Sequence, residues 1–378
     1  MVIKNLKKAA NRILKAVKLK ERIILYGDSD LDGVTSVIIL KETIKSLGSR
    51  ISAVYFPDRE IEGYGITRTG LKHLKKFSPA LLIALDCGIG NFEEIKLAKK
   101  IGFEVIVIDH HKVLDKLPEA DIIVDPKQKG DKYPFKEFAN VGLLFKLSEV
   151  LLKEKMGGGL KRSFLELVAL GTIADMMPRI NENKVFIEQG LRYLEDSWRP
   201  GIKAFFEADF LKHYNLQEKV SKIISILNVR DVEKGLPAAF NVLTCSSFEE
   251  LNGIIQRLRG KNKIRKERIR EITQQVREEA LKSKEPIIFE GNSTWDYPLI
   301  SSVASILSRE FKKPTFIYKK LKEESQGTVR VNSDIDSVSL MEKCRQYVMT
   351  YGGHARASGF RIKNRNLEKF KNCLIKNL

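Results

Sequence analysis

The sequence predicts an α/β protein in which strands alternate with helices in two separate parts of the chain. Helix-like segments, such as residues 34–48 and 91–102, separate four apolar runs in the first 110 residues. These runs are RIILYG (22–27), ISAVYF (51–56), ALLIALD (80–86) and EVIVID (104–109), and each is typical of a buried strand. Because strands that alternate with helices form parallel, doubly wound sheets, we expect a parallel sheet here.

The rest of the chain divides into a helical part and a second alternation. Helical patterns dominate residues 138–194, and a long helix-like stretch covers residues 248–282. The second alternation runs through PIIFEGN, LISSVASILSREF, PTFIYKK and GTVRVN. We therefore predict an α/β domain at residues 1–195, a helical connector at 196–285 and a smaller α/β domain at 286–378.

Composition favours a protein of the cytoplasm. No uninterrupted apolar run approaches the roughly 18 residues that a membrane span needs, and the basic start has no apolar segment with a small-residue cleavage site. The four cysteines, Cys87, Cys245, Cys344 and Cys373, form no CxxC pair. We therefore expect reduced thiols, with neither a disulfide framework nor a zinc knuckle.

The chain carries a strong positive charge. Its 67 Lys and Arg outnumber 48 Asp and Glu, which gives a formal net charge of +19. Such a protein is attracted to polyanions, because each neutralised phosphate releases condensed counterions. A Lys-rich habit of the source organism explains the net charge equally well. The basic segment RLRGKNKIRKERIR (257–270) is either part of a nucleic-acid surface or a solvated helix face.

Carboxylates and imidazoles follow the predicted strands at their carboxyl ends, where open parallel sheets bind ligands. They are Asp28, Asp30 and Asp32 after the first strand, Asp86 after the third, and Asp109, His110 and His111 after the fourth. Asp175, in GTIADMMP, ends an apolar helical segment. Only five histidines occur in the chain, yet two are adjacent here and a third, His354, lies in GGHARASGF.

Converging carboxylates repel each other unless a cation lies between them. Aspartate oxygens with one or two imidazoles, and no thiolate pair, suit Mn²⁺ or Mg²⁺ better than structural zinc. Two such ions about 4 Å apart activate water and neutralise the charge on a phosphoryl group under attack, so the pattern predicts phosphate-ester hydrolysis. Taken alone, DSDLDG is more typical of a calcium-loop fragment or an acidic turn, although an EF-hand loop also needs a later glutamate and this glycine instead opens an apolar helix.

The motifs GDSDLDG, LDCGIGN, VIDHHK and GTIADMMP, in this order, resemble the four motifs of the DHH phosphoesterase superfamily. GGHARASGF resembles the glycine-rich signature of its DHH-associated C-terminal domain. Within the superfamily, YFPDREIEGYG (55–65), the ADMMP ending and the long helix are most similar to RecJ-like single-strand-specific exonucleases. The resemblance implies a DHH domain joined by a helical connector to a smaller DHH-associated domain, with a cleft between them.

The resemblance also implies an activity and a metal site. The activity is metal-dependent 5′-to-3′ exonuclease cleavage that releases mononucleotides from single-stranded DNA. Two divalent cations, Mn²⁺ or as the alternative Mg²⁺, are the implied cofactors. The implied metal ligands are Asp30, Asp32, Asp86 as the bridging carboxylate, His110 and Asp175. Asp28 and Asp109 would orient these ligands, and His111 would meet the scissile phosphate.

A further set of residues is implied to bind the strand. Arg59, Thr328 and Arg330 would grip the 5′ end, and Asn228 and Arg230, in ILNVRD (226–231), would contact the substrate. Gly352, Gly353 and His354 would line the substrate-facing side of the cleft. Arg59 as an ordinary surface arginine and His354 as a structural histidine are the alternatives. From the sequence, Tyr64 cannot be distinguished from a core residue.

Single-stranded nucleic acid, with DNA favoured over RNA, is the expected partner, and replication or repair proteins are the expected protein partners. We expect no membrane association and a monomer. Full-length bacterial RecJ proteins carry an additional oligonucleotide-binding barrel for which this sequence has no room, so we expect a minimal core with weak strand binding. The alternatives are cleavage of RNA, of short oligoribonucleotides or of cyclic dinucleotides. A non-catalytic replisome scaffold is disfavoured because every motif acid is present.

Overall fold

The computed structural model describes residues 2–59, 61–113, 116–233, 235–332 and 334–378, and the apolar runs near the start of the chain form its first sheet. Its five strands are β1 (Ile23–Gly27), β2 (Ala53–Tyr55), β3 (Ala80–Leu85), β4 (Phe103–Ile108) and β5 (Ile122–Val124). They are parallel and lie in the order β2-β1-β3-β4-β5. The prediction of a parallel α/β sheet is confirmed.

Both faces of this sheet are covered by helices. Strand side chains alternate between two core clusters: Ile23 and Leu25 belong to one, and Ile24 and Tyr26 to the other. The first cluster includes, among others, residues of α1 (Leu6–Lys18), α2 (Leu31–Ser46), α5 (Asn140–Leu152) and α6 (Gly158–Ala174). The second includes residues of α3 (Arg68–Leu74) and α4 (Phe92–Ile101). Burial on both faces explains why these strands are continuous apolar runs instead of alternating patterns.

Shorter elements complete this part of the chain. They are α7 (Asn181–Leu194), α8 (Pro200–Glu207), α9 (Leu216–Leu227), the antiparallel pair β6 (Val232–Glu233) and β7 (Leu236–Pro237), and α10 (Ala238–Thr244). Short 3₁₀ turns cover Lys75–Phe77, Lys153–Lys155 and Asp209–Leu211.

Helix α11 (Phe248–Lys282) is the long basic helix that the sequence predicts. The chain divides into two compact units, Met1–Gly260 and Lys261–Leu378, and the division falls within this helix. Part of its positive charge is paired within the first unit, since Arg257 lies 3.0 Å from Asp231 and 2.9 Å from Glu233. The limits proposed from the sequence for the three segments stay a prediction.

The second unit contains a mixed sheet in the order β11-β12-β10-β9-β8, in which only β8 and β9 are parallel. Its elements are β8 (Ile288–Asn292), α12 (Tyr297–Phe311), β9 (Thr315–Lys320), β10 (Glu324–Arg330), α13 (Ser337–Glu342), β11 (Val348–His354), β12 (Ala357–Lys363) and α14 (Leu367–Lys376), with 3₁₀ turns at Arg345–Tyr347 and Asn364–Asn366. The sequence analysis predicts neither β11 nor β12. GGHARASGF is a β-hairpin formed by these two strands.

The expectation of four reduced thiols is wrong for one pair. Cys344 and Cys373 form a disulfide with their Cα atoms 5.9 Å apart, whereas Cys87 and Cys245 are free. The bond connects the segment after α13 to α14. The two cysteines are 29 positions apart, and their spacing matches no motif, so only the packing of α14 brings them together.

Among the described residues, no helix combines the length and the apolar composition that a bilayer span requires.

Candidate metal centre

Three aspartates lie side by side at the carboxyl edge of the parallel sheet. The strand register pairs Gly27 with Leu85 and Leu85 with Ile108. The next residue of each strand continues this ladder: the N–H of Asp28 donates to Leu85 O (3.2 Å), and the N–H of Asp86 donates to Ile108 O (3.0 Å). The N–H of Asp109 likewise donates to Val124 O (3.0 Å). The sheet therefore fixes the backbone of all three residues.

Asp32 is held by the N-terminus of helix α5. It is buried, and its two carboxylate oxygens accept hydrogen bonds from the backbone N–H groups of Asn140 (2.7 Å) and Val141 (2.8 Å). The partial positive charge of a helix N-terminus favours a carboxylate there. Burial nevertheless raises the pKa of Asp32 to about 7, and the neighbouring Asp30 carboxylate raises it as well.

Asp30 caps helix α2. Its Oδ1 atom accepts a hydrogen bond from the N–H of Gly33 (3.0 Å), which satisfies one of the helix's open donors. This contact explains why α2 begins at Leu31, three residues before the predicted start. A Cβ atom at Gly33 would lie 2.4 Å from the carbonyl oxygen of Asp28. The motif therefore needs glycine at this position so that the turn can pack against the strand end.

His110 directs one ring nitrogen into the carboxylate cluster. Its Nδ1 atom lies 2.7 Å from the carbonyl oxygen of Phe138, and a carbonyl only accepts, so Nδ1 carries the proton. Burial lowers the pKa of His110 well below its ordinary value, and the nearby His111 lowers it further. The imidazole is therefore neutral, and Nε2 presents a lone pair, as in metal-ligating histidines whose other nitrogen is hydrogen-bonded.

The atoms around this lone pair are carboxylate oxygens. Nε2 of His110 lies 3.1 Å from Asp86 Oδ1, 3.6 Å from Asp175 Oδ2 and 3.7 Å from Asp32 Oδ2. Among the described residues, none donates a hydrogen bond to Asp86 Oδ1 or Asp175 Oδ2, although both atoms are buried. Burial, followed by the neighbouring carboxylates, raises the pKa of both aspartates well above the ordinary value.

Buried acceptors without donors, facing a neutral imidazole nitrogen, are costly unless a cation lies among them. Among the triads whose ligand atoms lie within 4.8 Å of each other, one consists of Asp32, His110 and Asp175, and another consists of Asp28, Asp30 and Asp86. Hard carboxylate oxygens with one imidazole match Mn²⁺ and Mg²⁺. The residues present therefore fit divalent cations.

Asp109 fixes the orientation of His111. Its Oδ1 atom lies 2.8 Å from the ring Nδ1 of His111 and accepts from the backbone N–H of His110 (2.8 Å). Its Oδ2 atom accepts from the N–H of Ile89 (3.0 Å). Burial opposes ionisation of Asp109, but the charge and hydrogen bond of His111 outweigh it, so the pKa falls below the usual range. Both carboxylate oxygens of Asp109 are thus engaged in hydrogen bonds, which fits the predicted role of orienting the neighbouring residues.

Arg59 lies on the first acidic motif. Its guanidinium forms a bidentate pair with Asp28, in which Nε lies 2.7 Å from Oδ1, and its Nη2 atom lies 2.9 Å from Oδ2 of Asp30. Its Cζ atom lies 5.4 Å from the ring centroid of Tyr64. The residue predicted to grip the 5′ end is therefore at the metal centre itself.

The second unit places several predicted substrate residues on two strands of one sheet. Thr328 and Arg330 lie on β10, while Gly352, Gly353 and His354 lie on β11. Strand β12 separates the two sets, and both Thr328 and Gly352 pair with the same residue of β12, Gly359. Nη1 of Arg330 donates to Oγ1 of Thr328 (3.0 Å). In the first unit, Asn228 ends helix α9 and Arg230 is exposed two residues later.

The structure thus brings all eight predicted Asp and His residues of the first unit together, and their individual roles stay predictions. Sequence reasoning missed the groups that orient them. The backbone N–H groups of Ile89, Asn140 and Val141 and the carbonyl of Phe138 have no side-chain signature that could have identified them. The hydroxyl of Tyr64 contacts Asp86 and His111. Tyr64 lies in the segment 55–65, for which the only sequence signal is its similarity to RecJ-like exonucleases.

Comparison with known proteins confirms the resemblance found in the sequence. Residues 22–172 match the DHH family, N-terminal domain. The single-stranded-DNA-specific exonuclease RecJ of Bacillus subtilis is 32% identical over 98% of this chain and 47% of its own length. RecJ of Thermus thermophilus is 28% identical over 98% of this chain and 54% of its own length. The chain spans about half the length of these two relatives.

Two solved structures are also similar. An exonuclease RecJ bound to manganese superimposes with a TM-score of 0.77 at 25% identity, covering 100% of this chain and 94% of the other. RecJ of Thermus thermophilus in complex with Mn²⁺ superimposes with a TM-score of 0.82 at 23% identity, covering 100% of this chain and 55% of the other. The predicted α/β fold class is confirmed by these similarities.

Proposed function

We propose that this chain is a metal-dependent exonuclease that hydrolyses single-stranded DNA from the 5′ end and releases mononucleotides. The observation that carries the proposal is a pair of buried carboxylate oxygens, on Asp86 and Asp175, that face the unprotonated nitrogen of His110 and accept no hydrogen bond from any described residue. Such a site binds cations, and cations bound there suit phosphodiester hydrolysis. The similarity to proteins named single-stranded-DNA-specific exonuclease RecJ supports the choice of substrate and reaction.

The proposed cofactors are two divalent cations, with Mn²⁺ favoured and Mg²⁺ as the alternative. The residues that would hold them are Asp30, Asp32, Asp86, His110 and Asp175. Similar RecJ structures contain manganese or magnesium, which supports this donor set. When bound, divalent cations neutralise the carboxylates, lower the pKa of water and balance the charge that develops on the phosphoryl group.

The remaining residues of the centre are proposed to orient the reacting groups. Asp109 holds His111 through Nδ1, so the rest of the imidazole ring is available to meet a scissile phosphate. Asp28 holds Arg59 through two hydrogen bonds, which places the guanidinium beside the aspartates. A planar guanidinium recognises a terminal phosphate by bidentate hydrogen bonds. We therefore assign the 5′ phosphate to Arg59.

We propose that residues outside this centre bind the backbone of the strand. In the second unit we assign this role to Thr328, Arg330, Gly352, Gly353 and His354, supported by their position on β10 and β11, the two strands that flank β12. Asn228 and Arg230 are assigned to it in the first unit. Hydroxyl, guanidinium and backbone groups of this kind contact phosphate and sugar without reading sequence. The functional division into residues 1–195, 196–285 and 286–378 is part of the same proposal.

The proposed setting follows from the substrate. We propose that the protein acts in the cytoplasm, where its DNA substrate would be found. We propose replication or repair proteins as its partners. A monomer is sufficient for the chemistry, because one chain supplies every Asp and His of the centre.

The test uses single-stranded DNA and RNA of one sequence, each labelled separately at the 5′ and 3′ ends, in a time course with Mn²⁺. Immediate release of labelled mononucleotide from the 5′-labelled DNA is the expected result. Faster cleavage of the RNA would change the assigned substrate. If neither long strand were cleaved and only dinucleotides were hydrolysed, the exonuclease proposal would be wrong.

A further inference from the structure

The hydroxyl group of Tyr64 touches two residues of the candidate metal centre. The side chain is 50% exposed, yet its hydroxyl donates a hydrogen bond to the backbone carbonyl oxygen of Asp86 (3.0 Å). The same oxygen lies 3.2 Å from Nδ1 and 3.4 Å from Nε2 of His111. Because these two distances are nearly equal, the hydroxyl lies over the imidazole ring and not at either ring N–H. One hydroxyl therefore contacts two residues of the centre.

The Asp86 backbone needs such support. Asp86 has a φ of 62°, in the left-handed region that residues other than glycine rarely adopt. A conformation of this kind persists only where the surrounding structure holds it. The N–H of Asp86 is held by Ile108 O (3.0 Å), and its carbonyl is held by Tyr64. Both peptide groups are thus restrained, and with them the direction of a carboxylate that would hold the cations.

His111 is restrained in a complementary way. The contact between its Nδ1 and Asp109 (2.8 Å) fixes one ring atom, but a hydrogen bond to one atom leaves the ring able to tilt about it. The edge of Tyr64 packs against the imidazole at 67°, with ring centroids 5.6 Å apart. Contact with the ring face removes this tilt, so Asp109 and Tyr64 together define the plane of the imidazole.

We propose that Tyr64 is a positioning residue that sets both the Asp86 carboxylate and the plane of the His111 ring for attack on the scissile phosphate. This inference rests on the proposed function. The rival role for an exposed aromatic near a nucleic-acid site is stacking against a base, which needs only the ring. The positioning role needs the hydroxyl. Tyr64→Phe keeps the ring and removes only the hydroxyl, so it separates the two roles.

The kinetic test compares Tyr64→Phe with Tyr55→Phe on single-stranded DNA with Mn²⁺. Tyr55 is the matched control, because its hydroxyl donates to Glu62 (2.9 Å) in the same segment of the chain and touches no residue of the metal centre in the described structure. We expect kcat of Tyr64→Phe to fall about 10- to 100-fold, the usual effect of losing a group that orients metal ligands, with KM within about twofold of wild type. Tyr55→Phe should retain wild-type kcat.

A wild-type kcat and KM in Tyr64→Phe would overturn the inference and would fit stacking, because stacking needs only the ring. A change confined to KM would assign the hydroxyl to substrate binding and would also overturn it. An equal loss in Tyr55→Phe would assign the effect to folding of the segment and would also overturn it.

A second readout does not depend on activity. The chain has five histidines, so ¹⁵N-histidine labelling gives a simple imidazole spectrum, and His111→Gln assigns the signal of His111. In the protein with diamagnetic Mg²⁺, Tyr64→Phe should shift the ring nitrogens of His111 and leave His73 and His213 unchanged. Unchanged His111 signals would contradict the positioning role. If the wild-type protein failed to cleave DNA, the proposed function would fail, while this spectrum would still decide the geometry of Tyr64.

Discussion

The Nδ1 atom of His110 donates a hydrogen bond to the backbone carbonyl of Phe138, 28 residues further along the chain. This contact selects one tautomer and turns the unprotonated Nε2 towards Asp86, Asp175 and Asp32. The fold therefore sets this part of the ligand geometry. The cost of this preorganisation is the crowding of buried carboxylates, and it leads to the first prediction.

We expect Asp86→Asn to abolish hydrolysis and to raise the melting temperature of the metal-free protein. Burial and neighbouring carboxylates raise the pKa of Asp86, which means that its negative charge destabilises the folded protein. Asparagine removes this charge, and it tolerates the left-handed backbone better than most residues. A gain of about 1 kcal/mol corresponds to roughly 2–4 °C. With Mn²⁺ at 100 times its Kd, the free energy of unfolding of the wild-type protein should rise by about 2.7 kcal/mol relative to the metal-free protein. The variant should show no such rise. Scanning calorimetry in EDTA and in Mn²⁺ measures both effects.

Asp121→Asn is the matched control. Asp121 lies beside the same sheet, pairs with Lys99 (2.8 Å) and accepts from the N–H of Val105 (2.8 Å). Since these contacts stabilise its charge, this variant should melt at a lower temperature than wild type. A lower metal-free melting temperature for Asp86→Asn would contradict the explanation by repulsion.

Gly171→Ala is expected to destabilise the first unit by about 1–3 kcal/mol. A Cβ atom there would lie 2.6 Å from Oγ1 of Thr35 and 2.9 Å from Cγ1 of Val141. In an open helix the same substitution is stabilising. Gly159→Ala, in the same helix with nothing within 4 Å of the added Cβ, should therefore be neutral or stabilise by up to about 1 kcal/mol. Urea unfolding measures the free energy of unfolding of both variants. Equal changes would show that close packing around Gly171 does not destabilise the protein when a Cβ atom is added.

The carboxyl of Glu166 should make the stability of the protein depend on pH. Burial raises its pKa to about 7, although Ser197 donates a hydrogen bond to it and Arg199 lies nearby. Between the ordinary pKa of about 4.5 and 7, the unfolded chain loses the proton that the folded protein keeps. The folded state therefore binds more protons, so its free energy of unfolding falls as pH rises through this interval and then levels off.

Glu166→Gln removes this dependence. We expect the variant to gain stability relative to wild type by on the order of 1–3 kcal/mol between pH 4.5 and pH 8. Urea unfolding of both proteins across this range gives the difference. A constant difference would show that the carboxyl titrates alike in the folded and unfolded states.

Arg59→Gln is expected to remove the preference for strands with a 5′ phosphate. A hydrogen bond between charged groups contributes about 1.5–3 kcal/mol, so the ratio of kcat/KM for 5′-phosphorylated and 5′-hydroxyl DNA should fall by about 10- to 100-fold. Arg50→Gln, at an exposed position of the same unit, is the control and should keep the wild-type ratio. An unchanged ratio in Arg59→Gln would assign this arginine to structure, as the partner of Asp28.

Reduction of the Cys344–Cys373 disulfide should loosen helix α14. For residues 29 positions apart, a cross-link stabilises the folded state by about 3.5 kcal/mol. Hydrogen exchange measured by mass spectrometry should show faster exchange in α14 peptides after addition of dithiothreitol, with peptides of α1 unchanged. Cys373→Ser should show this faster exchange without reductant, and Cys245→Ser should behave as wild type. Identical α14 exchange in oxidised and reduced protein would contradict the prediction.

The sequence by itself determined the strands of the first sheet and the positions of the acidic residues at their ends. Both features are local: a strand buried on two faces must be a continuous apolar run, as at Ala80–Leu85. A carboxylate that follows such a run lies at the ligand-binding edge of the sheet, as Asp86 does. The order of the motifs then indicated the family to which they are similar.

Only the tertiary structure decided how these residues are oriented and which distant groups they meet. Asp32 bonds to the N–H groups of Asn140 and Val141, 108 and 109 positions away, and a backbone donor has no residue type that a sequence could reveal. Packing alone joins Cys344 to Cys373, and it places the hydroxyl of Tyr64 on Asp86 and His111. Hydrophobic periodicity is a local property of the chain, whereas these contacts depend on how its distant segments fold together.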